Sequence, residues 1–175
     1  MTATLARSTS FEAALLGAQE EARRLGHRLV GSEHLLLAVL AAPGAAATVL
    51  KALRLEWAAV RATIAELMPG SNRPTEGVLP LTESATAVIV KAEAVAKRLG
   101  ATVVDTDHLL LGIAQQHEGI GSRVLTDYGA TNEKIRNLVE RETAERRTHA
   151  CGQCGAALDA TWRYCPFCGT ALIAG

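Results

Sequence analysis

The sequence predicts an all-α domain of two four-helix units, followed by a small cysteine-bearing tail. Three observations carry this. One stretch occurs twice, as Leu25-Gly26-His27-Arg28-Leu29-Val30-Gly31-Ser32-Glu33-His34-Leu35-Leu36-Leu37 and as Leu99-Gly100-Ala101-Thr102-Val103-Val104-Asp105-Thr106-Asp107-His108-Leu109-Leu110-Leu111. Apolar residues recur at helical spacing on both sides of each copy. The last residues hold all four cysteines, as two C-x-x-C pairs.

Each copy of the stretch reads as a helix end, a short loop and a new helix. Leu-Gly closes the first helix, because glycine adopts the left-handed conformation without a Cβ penalty. Ser32 and Thr106 are the expected N-caps of the next helix. Glu33 and Asp107 then place a negative charge at the positive end of its dipole. The triple leucine begins a buried helix.

In chain order, residues 1–9 read as a flexible leader. Thr9 and Glu12 are placed for a capping box over Phe11. The first helix runs to about Leu25, with Phe11, Leu15, Ala18, Ala22 and Leu25 on one stripe. The second spans Ser32 to about Ala41 and stops at Pro43-Gly44. The third covers about 45–53. The fourth covers about 56–67, with Trp57, Val60, Ile64 and Leu67 at helical spacing. Residues 68–80 carry three Pro and two Gly and read as a linker or a loop laid across the surface. The pattern then restarts. Thr82 caps a helix to Leu99, Thr106 caps one to about Gln116, the seventh covers about 120–127, and the eighth runs from Thr131 to about Arg146.

The repeat aligns residue by residue. Ala22, Leu25, Gly26, Val30 and His34 fall on Ala96, Leu99, Gly100, Val104 and His108; one residue of insertion later, Gly44, Leu50, Arg61 and Ile64 fall on Gly119, Leu125, Arg136 and Val139. Two four-helix units about a pseudo-twofold axis follow, residues 10–67 and 81–146. Each has too thin a core to stand alone, so the pair is expected to fold as one domain, 10–147.

The tandem Gly-x-Glu-His-Leu-Leu-Leu signature, the Leu-Gly-His before it and the repeat length resemble the N-terminal (Clp R) domain of the Clp unfoldases, especially the Clp C type. Repeat two departs from the pattern: Gly31-Ser32-Glu33 becomes Asp105-Thr106-Asp107, and His27 becomes Ala101. Clp unfoldases carry ATPase modules after this domain, whereas no Gly-Lys dipeptide, and so no Walker A loop, occurs in these 175 residues. The resemblance implies a free-standing version of the substrate-receiving domain. It also implies a ligand site. In Clp C-type domains the acid of this motif helps hold the guanidinium of phosphorylated arginine, which assigns that role to Glu33 and Asp107. Asp107 is one methylene shorter than the acid of the pattern.

The tail is Cys151-Gly152-Gln153-Cys154 and Cys165-Pro166-Phe167-Cys168-Gly169. Four soft thiolates brought to one tetrahedral point select Zn2+, and four protein ligands leave no open position, so the expected metal is structural; the rival readings are a redox dithiol or an iron–sulfur site. The segment resembles a zinc ribbon and is assigned to 148–175. So small a unit draws its folding free energy from the metal. Trp162, Tyr164 and Phe167 are expected as its mini-core, the other reading being that one of them projects as a partner anchor.

A formal net charge of zero gives no global attraction to nucleic acid or to a membrane surface. No apolar run approaches the roughly 20 residues of a membrane span. Met1–Ser10 lacks the apolar core of a signal peptide, so the expected compartment is the cytoplasm. His34 and His108, beside buried leucines, read as satisfied structural histidines. No nucleophile–base pair, phosphate loop or open metal site is visible, and no enzyme is expected. The sequence thus predicts a non-catalytic peptide- or protein-binding module of the Clp proteolytic system. Its expected partners are Clp ATPase or protease components, adaptors or substrate proteins, and its role is delivery or decoy. The rival reading is a zinc-ribbon regulator that binds nucleic acid or the transcription machinery.

Overall fold

The computed structural model describes residues 5–71, 77–148, 151–155, 164–165 and 168–171. Repeat one contains α1 (Thr9–Arg24), α2 (Ser32–Ala41), α3 (Ala45–Ala52) and α4 (Trp57–Leu67). Repeat two contains α5 (Glu83–Arg98), α6 (Thr106–Ala114), α7 (Ile120–Asp127) and α8 (Asn132–Thr148). Two short strands, β1 (Ala6–Arg7) and β2 (Val103–Val104), pair in parallel.

α2 and α6 form the centre. Their sequences are apolar on nearly every face, the mark of a helix enclosed on all sides, and Leu35–Leu37 and Leu109–Leu111 are buried. α1 and α5 are amphipathic and lay one stripe over this pair. Phe11, Ala14, Ala18 and Ala22 pack inward from α1; Ala85, Val88, Ala92 and Ala96 do so from α5. The outer helices cross between repeats, with α3 against α8 and α4 against α7. Gly121 lets α7 come close to α2, since a Cβ there would stand 2.7 Å from the Ser32 carbonyl oxygen.

The repeats also trade their leading segments. Ser8 N–H donates to the Val104 carbonyl, and Thr82 N–H donates to the Val30 carbonyl, both at 2.9 Å. Residues 6–7, just ahead of repeat one, therefore pair with β2 of repeat two, while Leu81 at the head of repeat two bridges Val30 of repeat one. Within the expected 1–9 leader, residues 6–7 instead form a strand; residues 1–4 lie outside the described residues. The 68–80 segment lies on the surface at both described ends. Ser71 N–H donates to the Gly26 carbonyl, and Gln19 exchanges two hydrogen bonds with the Leu79 backbone.

Three caps differ from expectation. α1 is capped by Ser8, whose hydroxyl accepts from Phe11 N–H, and not by Thr9. α2 and α6 are capped from Gly31 and Asp105, one residue before Ser32 and Thr106. Ser32 Oγ turns away and accepts from Gly121 N–H of the other repeat at 3.1 Å. Thr82 caps α5 as expected.

Candidate functional site

The two signature loops end at equivalent helix starts. Gly31 N–H donates to His34 Nδ1 at 2.8 Å, and Asp105 N–H donates to His108 Nδ1 at 3.0 Å. Each histidine thus reaches back one turn to satisfy the cap backbone, the task usually given to Glu or Gln in a capping box. At the second site Asp105 Oδ1 also accepts from Ser8 Oγ at 2.7 Å, which ties the cap to the incoming strand of repeat one.

The Glu33 carboxylate folds back over Gly31, where any Cβ would collide with both of its oxygens. Its side chain is only 7% exposed. Burial raises the Glu33 carboxyl above its ordinary range, against its own backbone hydrogen bond and nearby His27, which lower it. At the second site Asp105 replaces Gly31, so the backbone there carries a Cβ. The Asp107 side chain is 15% exposed, and its Oδ1 accepts from His108 N–H at 2.8 Å. The two acids sit as the repeat alignment places them, each in the first turn of its own helix, and the shorter one is the more accessible.

Around Glu33 the hydrogen-bond network assigns every histidine proton. Because His34 Nδ1 accepts from Gly31, its proton is on Nε2. That N–H faces His27 Nδ1 at 2.7 Å, and His27 Nε2 in turn faces the Met68 carbonyl at 2.9 Å. Burial, with His27 beside it, pushes the His34 imidazole down to about 3, so it is neutral in this chain of bonds. Ligand atoms of His27, Glu33 and His34 lie within 4.8 Å of one another. They do not suit a metal, since His34 has no lone pair free on Nε2. The sequence reading of His34 and His108 as satisfied structural residues matches these bonds. The partner, His27, stands one helix-entry loop before His34, and that spacing is its signal in the sequence.

The four cysteines do converge. Their Sγ atoms lie within 4.8 Å of one another, with Cys151 to Cys168 at 3.5 Å and Cys154 to Cys165 at 3.6 Å. Sulfurs bound to one tetrahedral zinc stand about 3.8 Å apart, so the donor set fits that ion. Both knuckles close the same way: Gly155 N–H donates to the Cys151 carbonyl and Gly169 N–H to the Cys165 carbonyl, both at 2.8 Å. Gly155 and Gly169 have φ near +70°, which favours glycine after each second cysteine. Thr170, through its hydroxyl and then its backbone, holds the Cys168 thiol down to about 6. Tyr164 bridges Ala171 and is exposed, so it is not part of a closed mini-core; Trp162 and Phe167 lie outside the described residues.

Two interlocked helical repeats followed by a four-cysteine cluster define an all-α tandem-repeat domain with a metal-ribbon appendage. The chain belongs to the Clp repeat (R) N-terminal domain family, which matches residues 7–80 and again 80–161; residues 151–172 match the zinc-ribbon domain. The chloroplastic chaperone protein ClpC2 of Oryza sativa subsp. japonica is 37% identical over 136 residues, which are 77% of this chain and 15% of that protein. The match thus spans about 15% of that relative's length. Among solved structures, the N-terminal domain of the chaperone ClpD from Arabidopsis thaliana superposes with a TM-score of 0.64 at 17% identity, covering 79% of this chain and 94% of that one. The Hsp104 N-terminal domain from Candida albicans gives 0.62 at 19% identity, covering 77% and 89%. At these identities the structural likeness concerns the fold. Among the described residues no single helix is long and apolar enough to cross a membrane.

Proposed function

We propose that this protein is a non-catalytic protein-binding module of the Clp proteolytic system, acting in the cytoplasm on substrates, adaptors or Clp subunits. The observation that carries the reading is the Clp-type double repeat, matched over residues 7–80 and 80–161. Such a module recognises what an unfoldase N domain recognises, and either delivers it or competes for it. Structural zinc at Cys151, Cys154, Cys165 and Cys168 holds the tail as a second docking unit, supported by the convergence of the four sulfurs and by the closed ligand set. The reading extends to phosphorylated arginine as a ligand at Glu33 and Asp107. Carboxylate pairs bidentately with guanidinium, and a helix N-terminus favours phosphate. At Glu33 this binding requires the carboxylate to swing off Gly31.

The test is affinity capture from the source organism's lysate with the full chain and with a truncation ending at Arg147, read by mass spectrometry. Recovery of Clp subunits or adaptors with both proteins supports the reading. Recovery of RNA polymerase or nucleic-acid proteins, only with the full chain, overturns it in favour of a ribbon-centred regulator.

A further inference from the structure

The two repeats differ in how the negative end of the buried helix is met. In repeat two, Lys91 of α5 runs toward the end of α6. Its ammonium donates to the Gln115 carbonyl at 3.0 Å and to Gln116 Oε1 at 2.7 Å. A cation is favoured there because the last carbonyls of a helix are unpaired and form the negative pole of its dipole. In repeat one the residue equivalent to Lys91 is Gly17, and Ala41 and Ala42 stand where Gln115 and Gln116 stand.

The space that Lys91 fills is therefore open in repeat one. A groove of about 520 Å³ runs between α1 and the end of α2, floored by Ala13, Gly17 and Ala38 and ended by Ala41 and Ala42. In repeat two a different concavity, of about 470 Å³, lies along α5 beside Ala87, Val90 and Lys91, without a residue of α6. No backbone N–H donates to the carbonyls of Val39, Leu40 or Ala41 among the described residues, and Pro43 has none to give. Glu20 and Glu21 line the same groove. Glu21 is held by Arg24 and Arg61, whereas Glu20, about half exposed, faces solvent with its pairs to Arg23 and Arg24. Arg24 is the one basic side chain in the lining.

We propose that this groove is a lysine slot: it takes, from a partner protein segment, the side chain that Lys91 supplies within repeat two. The aliphatic stem lies over Ala13, Gly17 and Ala38. The ammonium caps the Ala41 carbonyl and the negative end of α2, next to Glu20. Repeat two is already filled, so the module takes one such side chain and not two. The slot is distinct from the Glu33 and Asp107 helix starts and does not depend on the Clp reading.

The probe is the peptide acetyl-Gly-Ala-Lys-Ala-Gly-amide, with norleucine in place of lysine as the uncharged control. Both are titrated into the full ¹⁵N-labelled chain and followed by amide shifts. The expected result is saturable shifts at Gly17 and Ala38–Gly44 with the lysine peptide, and binding at least about fivefold weaker with norleucine. Lys91→Ala should open the second slot and add a second set of shifts around Ala87 and Gln115. Gly17→Lys should abolish the first set by filling the slot from within. Its new Cβ would stand 3.3 Å from Ala38 Cβ, so folding is checked by circular dichroism; Lys91→Ala tests the same idea without that crowding. Equal binding of both peptides, shifts confined to other regions, or no new shifts in Lys91→Ala would each overturn the proposal.

Discussion

Acid should loosen repeat one through His34, and the size of the effect can be worked out. The imidazole is fully buried and its folded value stands at about 3, against 6.5 when unfolded. Between those values the unfolded chain holds a proton that the folded chain does not. Stability from this group is therefore present above pH 6.5 and is lost as pH falls toward 3. Each pH unit within the window costs about 1.4 kcal/mol, so the step from pH 6.5 to 5 costs about 2 kcal/mol. Glu33 acts with the opposite sign. Its folded carboxyl is raised, so its contribution is complete below about pH 4.5 and is lost as pH rises through the raised value. The measurement is urea unfolding by far-ultraviolet circular dichroism from pH 7.5 to 5, in a Glu33→Gln background that removes the opposing group. The background protein is compared with its His34→Gln derivative. At pH 7.5 His34→Gln should be less stable by about 1–3 kcal/mol, because the bonds to Gly31 and His27 are weakened. That gap should shrink by about 2 kcal/mol by pH 5. A gap that stays constant across this range would show that His34 is not held neutral by burial, and the proton assignment of the His34–His27–Met68 chain would fall with it.

Other outcomes follow from particular residues. Arg54 has φ of +61°, at the position that Gly129 fills in repeat two with φ +71°; Arg54→Gly should raise stability by about 1 kcal/mol and the thermal midpoint by a few degrees in calorimetry. Cys154→Ser, or chelation of the wild type, should release the tail's zinc while leaving the main thermal transition in place, read by a metal-release dye beside calorimetry; one shared collapse would show that the ribbon is part of the helical domain. Titration calorimetry with an arginine-phosphorylated peptide should show weaker binding for both Glu33→Ala and Asp107→Ala. If only Asp107→Ala loses affinity, the carboxylate folded over Gly31 never leaves it; if wild type does not bind, neither acid has this role.

The helices were legible because their signals are local. Leucine runs, apolar spacing and the Leu-Gly ends each act within a few residues, and the duplicated stretch confirmed them by occurring twice. The cysteines were legible for the same reason, since two C-x-x-C pairs leave few other uses. The caps of α2 and α6 were misplaced because a hydroxyl beside a helix start ranks above glycine as a cap. In the fold His34 and His108 supply the capping side chain from inside the helix, and Ser32 is committed to Gly121 in the other repeat. The fate of Glu33 was hidden for a related reason. Its spacing gives a first-turn acid, but only the missing Cβ at Gly31 allows it to turn inward. Residues 6–7 carry no pattern of their own that marks a strand, because their partner lies in the other repeat.

That trade of leading segments also bears on the history of the molecule. Ser8 with Val104 and Thr82 with Val30 form a reciprocal pair, the same contact made once in each direction. This is the form of an isologous dimer interface, in which one surface serves both partners. A single repeat meeting a second copy of itself would make both bonds. Duplication would then have preserved an assembly that already existed, and the connecting segment after α4 replaces a concentration-dependent encounter by an effective concentration of millimolar order. Freed from the need to be identical, the halves could diverge, as Gly17 and Lys91 or Glu33 and Asp107 have done, without losing the contact that joins them.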